Sequence, residues 1–173
     1  MELRCEVLII GAGITGLTLA RELLGRGVEG ILVIDKEKDL GAHASGRNSG
    51  VLHSGVYYTP DTLKARFCIQ GNRLMKGFCI EKGLTLRETG KVIVAKDETK
   101  LEGLYELKRR ADLNGVRSSI IDSKELSEIE PYARTYEKAL LSPDTAVINP
   151  KEILKAISDE IEGSRKARIL YGT

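Results

Sequence analysis

The chain has 173 residues, 42% of them hydrophobic and 30% charged, which are ordinary values for a soluble globular protein. A net charge of +2 argues against a dedicated nucleic-acid surface. No apolar run is long enough to span a bilayer, and Glu2, Arg4 and Glu6 interrupt the start of the chain. We therefore expect no signal peptide and a cytoplasmic protein, with peripheral attachment to the inner face of a membrane left open.

The metal-ligating residues are few. Two histidines, His43 and His53, exclude a His-rich metal site, and no metal is expected. The three cysteines lack Cys-x-x-Cys spacing, so the sequence predicts neither a zinc site nor a disulfide framework. We interpret all three as small buried side chains.

The first predicted element is a strand over residues 7–10, whose four apolar residues are typical of a parallel sheet covered on both faces. A Gly-x-Gly-x-x-Gly turn follows and leads into a helix predicted over residues 14–24. The glycines permit a tight turn, the approach of a pyrophosphate and close helix–strand packing, and the helix start offers N–H groups to phosphate. The predicted cofactor-binding residues of this turn are Gly11, Ala12, Gly13, Ile14, Thr15 and Gly16.

A second buried strand is predicted over residues 31–34, and it ends on Asp35. A carboxylate about 20 residues after such glycines accepts hydrogen bonds from the adenosine ribose. Lys36 follows and is placed beside the adenosine. Strand, turn, helix, strand and acid together predict dinucleotide binding, without distinguishing NAD from FAD.

Residues 41–58 consist largely of glycine and other small residues and hold both histidines. Such a segment lets a flat ligand lie against backbone amides. Val51-Leu52 and residues 56–58 are apolar anchors that a flexible linker would not need. We therefore interpret this segment as ligand-binding.

The motif Gly-Arg-Asn-Ser-Gly-Val-Leu-His-Ser-Gly-Val-Tyr-Tyr at residues 46–58, placed after the glycine-rich turn, resembles the D-amino-acid-oxidase-like (DAO) superfamily of FAD-dependent oxidoreductases. Within that superfamily the chain is more similar to the L-2-hydroxyglutarate oxidases and dehydrogenases than to the glycerol-3-phosphate dehydrogenases, which have His-Gly-Gly at residues 53–55. The resemblance covers essentially the whole chain and continues through residues 63–68, 70–72, 90–95 and 148–150.

The resemblance implies FAD as the cofactor. It implies that Asp35 binds the ribose and that residues 45–51 run along the flavin ring. The cofactor contacts it implies in that segment are Ser45, Arg47, Asn48, Ser49, Gly50 and Val51. It also places His53 close to the flavin and the substrate, where a neutral imidazole is a suitable acceptor for the hydroxyl proton of a 2-hydroxy acid. His53 is thus the catalytic candidate, although a role limited to hydrogen-bonding the flavin or packing the loop stays open.

The rest of the chain alternates helices and strands. We predict a helix over residues 60–78 and a hairpin of strands 84–87 and 91–95. The apolar side predicted for this helix consists of Leu63, Phe67, Ile69, Leu74 and Phe78. Asn149 and Pro150 open a late helix. The other predicted elements are a helix over 99–114, a strand at 120–121, a helix over 123–130, and strands at 139–141 and 167–171.

The predicted fold class is α/β: a Rossmann-like FAD/NAD(P)-binding βαβ domain with the start of an inserted α+β substrate lobe. Residues 1–83 are assigned to the first part of the FAD-binding domain, 84–145 to a partial substrate-binding lobe, and 146–173 to the return into the FAD-binding domain. By the resemblance a second half is missing, which suggests an N-terminal fragment that binds FAD weakly and has little or no turnover alone.

The expected function is that of an FAD-dependent oxidoreductase acting on CH–OH donors. Its small-molecule substrate is a 2-hydroxy acid, most of all L-2-hydroxyglutarate, oxidised to 2-oxoglutarate, and its electron acceptor is oxygen or a quinone. The alternatives are a non-catalytic nucleotide-binding half that requires a C-terminal partner chain, and a flavoenzyme similar to the amino-acid or glycerol-3-phosphate oxidases. The third alternative is an NAD-dependent enzyme. Residues 43–58 argue against it, because an NAD-binding βαβ unit does not need such a segment.

Overall fold

The structure is a computed structural model that describes residues 4–173, so Glu2, one of the charges cited against a signal peptide, lies outside the described residues. The chain divides into two compact units: unit 1 holds residues 4–50 and Asn149–Thr173, and unit 2 holds Val51–Ile148. The predicted domain boundaries lie after residues 83 and 145. They separate segments by their expected roles in cofactor and substrate binding, and these boundaries stay a prediction. Within residues 4–173 every helix is too short or too polar to cross a lipid bilayer.

Nine strands and five α-helices make up the described chain. A 3-10 turn over Glu98–Lys100 leads directly into the third helix. In chain order the elements are β1 (Val7–Ile10), α1 (Ile14–Gly25), β2 (Ile31–Asp35), β3 (Val51–Leu52), α2 (Leu63–Lys82), β4 (Leu86–Arg87), β5 (Lys91–Val94), α3 (Leu101–Leu113), β6 (Ser119–Asp122), α4 (Ser123–Ile129), β7 (Lys138–Ser142), β8 (Ala146–Ile148), α5 (Pro150–Gly163) and β9 (Ala167–Tyr171).

Unit 1 is built on a parallel sheet in the order β1-β2-β9. Val33, in the central strand, is paired with Ile9 on one side and Ile169 on the other. Helices α1 and α5 pack against each other and bury Leu17 and Ile161 completely. Parallel strands joined by a helix confirm the predicted Rossmann-like βαβ arrangement.

One face of this sheet is open within the described residues. Ile9 and Val33 are buried, whereas Leu8 and Ile10, which point to the other face of β1, are 51% and 81% exposed. The prediction that β1 is covered on both faces was therefore wrong for this chain. Side chains alternate between the two faces of a strand, and the burial pattern shows that only one face is covered.

Unit 2 contains two antiparallel sheets, in the orders β3-β8-β4 and β5-β7-β6. The predicted hairpin of β4 and β5 was wrong, because Leu86 of β4 pairs with Ile148 while Val92 of β5 pairs with Leu141. The chain changes sheets at Gly90, which has a φ of +67° and donates from its N–H to the carbonyl of Thr145 at 3.0 Å.

The buried face of α2 also differs from the predicted one. Phe67 and Leu74 are 61% and 74% exposed. Of the predicted apolar residues only Phe78 is buried, and the other buried residues of α2 are Ala65, Asn72 and Cys79. Ala65, Asn72 and Cys79 recur every seven residues and so share one face of the helix. Small and polar side chains form this face, so the hydrophobic pattern pointed to the wrong side. The interpretation of all three cysteines as buried side chains holds only for Cys79, because Cys68 is half-buried and Cys5 is exposed.

Candidate functional site

The glycine-rich turn of unit 1 requires glycine at two positions. Gly11 has a φ of +108°, a conformation that is costly for residues with a Cβ, and its N–H donates to the Ile34 carbonyl at 2.7 Å. A Cβ on Gly16 would lie 1.9 Å from the carbonyl oxygen of Gly11. The turn is therefore bonded to β2 through Gly11, and Gly16 lies closer to the Gly11 carbonyl than a residue with a Cβ could.

Two predicted residues meet this turn from elsewhere in unit 1. Asp35 Oδ2 accepts a hydrogen bond from the Ala12 N–H at 2.7 Å, and Ser45 Oγ accepts one from the Ile14 N–H at 3.0 Å. A Cβ on Gly13 would lie 3.0 Å from the same Ser45 oxygen. The fold thus brings Asp35, Ser45 and the start of α1 together, and their contacts with a dinucleotide stay a prediction.

The Asp35 carboxylate is held in its ionised form. Its Oδ1 accepts from the Glu37 N–H at 2.9 Å, and this bond is the largest influence that keeps the pKa of Asp35 below its usual value, despite the opposing effect of burial. A carboxylate offers about four lone-pair positions, so two backbone bonds leave room for ribose hydroxyls. Lys36, the next residue, is exposed, with Nζ 3.9 Å from Glu37 Oε1.

Asp35→Asn is expected to make the chain less sensitive to acid. Because the folded-state pKa of Asp35 is lowered, its carboxylate stabilises the fold above the unfolded pKa of about 3.9 and loses that contribution as the pH falls through the folded-state value. Chemical denaturation measures the free energy of unfolding between about pH 5 and about pH 3. Over this range it should fall less in Asp35→Asn than in the wild type. The exposed Asp39→Asn is the control and should follow the wild type, and parallel declines in all three proteins would contradict the assignment.

The loop after Asp35 is shaped by its own polar groups. Asn48 donates from Nδ2 to the carbonyls of Ala44 at 3.1 Å and Ser45 at 3.0 Å, and its Oδ1 accepts from the Gly50 N–H at 2.9 Å. These bonds give Asn48 a structural role, and its contact with the cofactor stays a prediction. Arg47 and Ser49 are exposed, and no described carboxylate forms an ion pair with Arg47.

The residues of unit 1 fit the ADP part of a dinucleotide. The first turn of α1 has no acidic residue and no side-chain cap from its own N-cap residue, Gly13, so its N–H groups and helix dipole favour an anion. Gly11 and Gly16 leave no side chain between the backbone and a diphosphate. The Asp35 carboxylate lies at the carboxyl end of β2, the position that binds the ribose in such folds.

Unit 2 carries the remaining predicted residues, Val51 and His53. Val51 lies in β3 and pairs with Val147. His53 is exposed, and its ring meets the Tyr57 ring edge-on, with centroids 6.3 Å apart. Lys91 Nζ lies 4.4 Å from the centroid of the same tyrosine ring. From the sequence Tyr57 was interpreted only as an apolar anchor, and Lys91 was given no role. Their proximity depends on the position of β5 within its sheet.

His53 is suited to accept a proton near neutral pH. Desolvation of its ring, followed by the positive charge of Lys91, holds the pKa of His53 below its usual value. The imidazole is therefore neutral at pH 7, with one ring nitrogen free to act as a base.

The backbone around His53 is fixed by Asn72 on α2, which is 5% exposed. Its Nδ2 donates to the carbonyls of Leu52 and His53, both at 3.1 Å, and of Asp144 at 3.2 Å. Cys68 Sγ adds a bond to the His53 carbonyl at 3.4 Å. No role was assigned to Asn72 from the sequence, although its seven-residue spacing from Ala65 and Cys79 was a visible signal.

A buried group of hydroxyls anchors the residue after His53. Ser54 Oγ and Ser142 Oγ are 2.8 Å apart, and Thr145 Oγ1 lies 3.4 Å from each of them. All three side chains are at most 5% exposed. These bonds join the His53 segment to β7 and to the loop before β8, and they hold the candidate base in one backbone conformation.

Two curated relatives illustrate the sequence similarity. The chain is 39% identical over 157 residues to the mitochondrial L-2-hydroxyglutarate dehydrogenase of Nematostella vectensis, covering 90% of this chain and 34% of that protein. It is 35% identical over 167 residues to the L-2-hydroxyglutarate dehydrogenase of Escherichia coli, covering 96% of this chain and 39% of that protein. The chain thus spans between a third and two fifths of the length of these relatives.

Solved structures share the fold over nearly the whole chain. The dithionite-reduced L-α-glycerophosphate oxidase of Mycoplasma pneumoniae with FAD bound superposes with a TM-score of 0.89 at 27% identity, covering 100% of this chain and 46% of that one. The L-proline dehydrogenase of P. horikoshii superposes with a TM-score of 0.87 at 24% identity, covering 99% and 45%. Residues 6–173 match the sequence model of the protein family DAO, which is described as FAD dependent oxidoreductase. With its glycine turn, acid and parallel sheet in place, the chain belongs to the DAO family of FAD-dependent oxidoreductases.

Proposed function

We propose that this chain supplies the dinucleotide-binding turn and the proton acceptor of an FAD-dependent oxidoreductase that oxidises a 2-hydroxy acid, with L-2-hydroxyglutarate as the first candidate. The observation that carries the proposal is the turn of Gly11 to Gly16, bonded to the Asp35 carboxylate and to Ser45. The choice of substrate is supported by the relatives at 35% and 39% identity, both L-2-hydroxyglutarate dehydrogenases.

The residues of unit 1 would hold the cofactor. The N–H groups at the start of α1 bind the diphosphate, and Asp35 accepts the ribose hydroxyls. Lys36, Ser45, Arg47, Asn48, Ser49 and Gly50 complete the predicted contacts of unit 1. Val51, the last predicted contact of the segment, is the first residue of unit 2. When bound, FAD supplies the two-electron acceptor for the hydride that leaves carbon 2 of the substrate.

His53 would move the proton in this reaction. Oxidation of a 2-hydroxy acid removes a hydride from carbon 2 and a proton from the hydroxyl, and leaves a 2-oxo acid. The neutral His53 ring accepts the hydroxyl proton and becomes an imidazolium ion, which later releases it to solvent. Whether oxygen or a quinone finally takes the electrons stays a prediction.

The test of the cofactor and the reaction is the visible absorbance spectrum of the chain after incubation with FAD and gel filtration. A retained flavin band that L-2-hydroxyglutarate bleaches under anaerobic conditions, and D-2-hydroxyglutarate does not, is the expected result. L-glycerol 3-phosphate and L-proline serve as competing substrates. A folded chain that elutes without flavin, also after co-expression with a C-terminal partner chain, would refute the proposed role.

His53→Gln is expected to slow flavin reduction by L-2-hydroxyglutarate by about 100- to 10,000-fold, the range for loss of a general base. Glutamine keeps polarity and approximate size but cannot accept the proton. The matched control is His43→Gln, which removes a histidine that contacts Glu37 in unit 1. Stopped-flow absorbance measures both variants, and equal rates for the two would show that His53 is not the base.

A further inference from the structure

Lys91 lies beside the candidate base in unit 2. It begins β5, is half-buried, and places its ammonium 4.4 Å from the Tyr57 ring centroid. The same ring contacts His53 edge-on. An aromatic ring attracts a cation through its π face, so Tyr57 holds the Lys91 ammonium near the imidazole without neutralising its charge.

The charge of Lys91 is unbalanced within the part of the chain that the structure describes. No described carboxylate forms an ion pair with it, whereas Lys76, also on unit 2, lies 2.6 Å from Glu88 Oε1 and Lys108 lies 2.5 Å from Asp112 Oδ1. A partly buried cation without a counter-ion stabilises an anion that binds next to it.

The fold fixes Lys91 relative to His53. Lys91 is paired with Ser142 across β5 and β7, and Ser142 Oγ lies 2.8 Å from the hydroxyl of Ser54, the residue after His53. The strand that carries the cation is therefore linked to the segment that carries the base through its pairing with β7 and this buried hydrogen bond. Such support is what a binding residue requires to act at a defined position.

We propose that Lys91, held by the Tyr57 ring, is the residue that binds a carboxylate of the substrate beside His53. The identity of that substrate rests on the proposed function. A carboxylate bound to the Lys91 ammonium places the neighbouring part of the acid within reach of the imidazole, and a neutral compound of the same shape lacks this contact. Lys91 thus selects acids over uncharged alcohols.

The probe is glutarate, the dicarboxylate that lacks the reacting hydroxyl, added to the chain without flavin. NMR of the imidazole ring protons at fixed neutral pH and ionic strength follows both histidines, because the sequence contains only two. We expect glutarate to shift the His53 signals saturably and to leave those of His43 in unit 1 unchanged. The neutral analogue glutaramide should shift neither.

Lys91→Met should weaken glutarate binding by about tenfold, as expected for loss of a charge-assisted bond, while Lys91→Arg should retain it. Lys64→Met is the matched control, because Lys64 Nζ also lies over a tyrosine ring, 4.8 Å from the Tyr58 centroid. Absence of a saturable shift in the wild type, or equal affinities in Lys91→Met and wild type, would overturn the assignment.

Flavin reduction separates this inference from the proposed function. Glutarate binding through Lys91 without flavin reduction by L-2-hydroxyglutarate would refute the proposed reaction and leave the carboxylate subsite standing. Flavin reduction with an unchanged KM in Lys91→Met would refute the subsite and leave the proposed reaction standing.

Discussion

Asn72→Asp is expected to destabilise unit 2 by about 3–5 kcal/mol at neutral pH, the cost of burying a charge without a partner. The amide of Asn72 donates to three backbone carbonyls, those of Leu52, His53 and Asp144, and the substitution replaces this donor with an acceptor. A carboxylate facing three carbonyl oxygens is repelled by each of them. Urea denaturation of the variant and wild type measures the difference in the free energy of unfolding.

The pH dependence of Asn72→Asp distinguishes charge burial from simple loss of packing. Burial would raise the folded-state pKa of the introduced carboxyl above its unfolded value of about 3.9, so the deficit is smallest near pH 4 and grows as the pH rises. Gln70→Glu, an amide-to-acid change at an exposed position of the same helix, should show no such deficit. A deficit that is constant with pH would contradict this account.

Gly16→Ala is expected to destabilise unit 1 by about 1–3 kcal/mol, as overpacking does in a well-packed interior, and to abolish FAD binding. The new Cβ would lie 1.9 Å from the Gly11 carbonyl oxygen and 3.3 Å from Ile9 Cγ2. Since the nearest of these atoms is backbone, relief requires that α1 move away from β1 and that the phosphate-binding turn open. Thermal unfolding and a fluorescence titration of FAD measure the two effects.

Gly25→Ala is the matched control for this substitution in the same helix. A Cβ at Gly25 meets no atom within 4 Å, and its backbone is not in the left-handed region. Alanine there should leave FAD binding unchanged and stabilise the helix by about 0.4–1 kcal/mol. Equal behaviour of the two variants would show that the close contact of Gly16 is not what limits the site.

The elements that could be predicted were those whose sequence signals lie within short, consecutive stretches of the chain. β1, the turn from Gly11 to Gly16, α1 and β2 follow one another without interruption, and each has its own sequence signal. Asp35 and the Asn149 N-cap were recognised for the same reason, and Asn149 does accept a hydrogen bond from the Lys151 N–H at 3.1 Å. Local patterns were sufficient here because the interactions are local.

The partners of β4 and β5 could not be predicted, because strand pairing depends on distant segments. Leu86 and Val92 lie close in sequence but pair with β8 and β7, respectively. The buried face of α2 was missed for a related reason: it packs small and polar groups, so the hydrophobic residues Phe67 and Leu74 gave a misleading pattern. The position of Lys91 beside Tyr57 and His53 became visible only once the tertiary contacts of β5 were known.

The order of strands in unit 1 has a consequence for how the chain folds during synthesis. Ile31 in the central strand pairs with Ala167, which lies far along the chain. Helix α5, which packs against α1, also comes late in the sequence. At about 5–20 residues per second, the ribosome finishes β2 on the order of 10 s before β9. During this time residues 4–50 lack α5 and β9, the elements that complete their core. Unit 2 is continuous in sequence and is therefore free to fold first. The parallel pairing of β2 with β9 joins segments that are far apart in sequence, so we expect it to form more slowly than the contacts within unit 2.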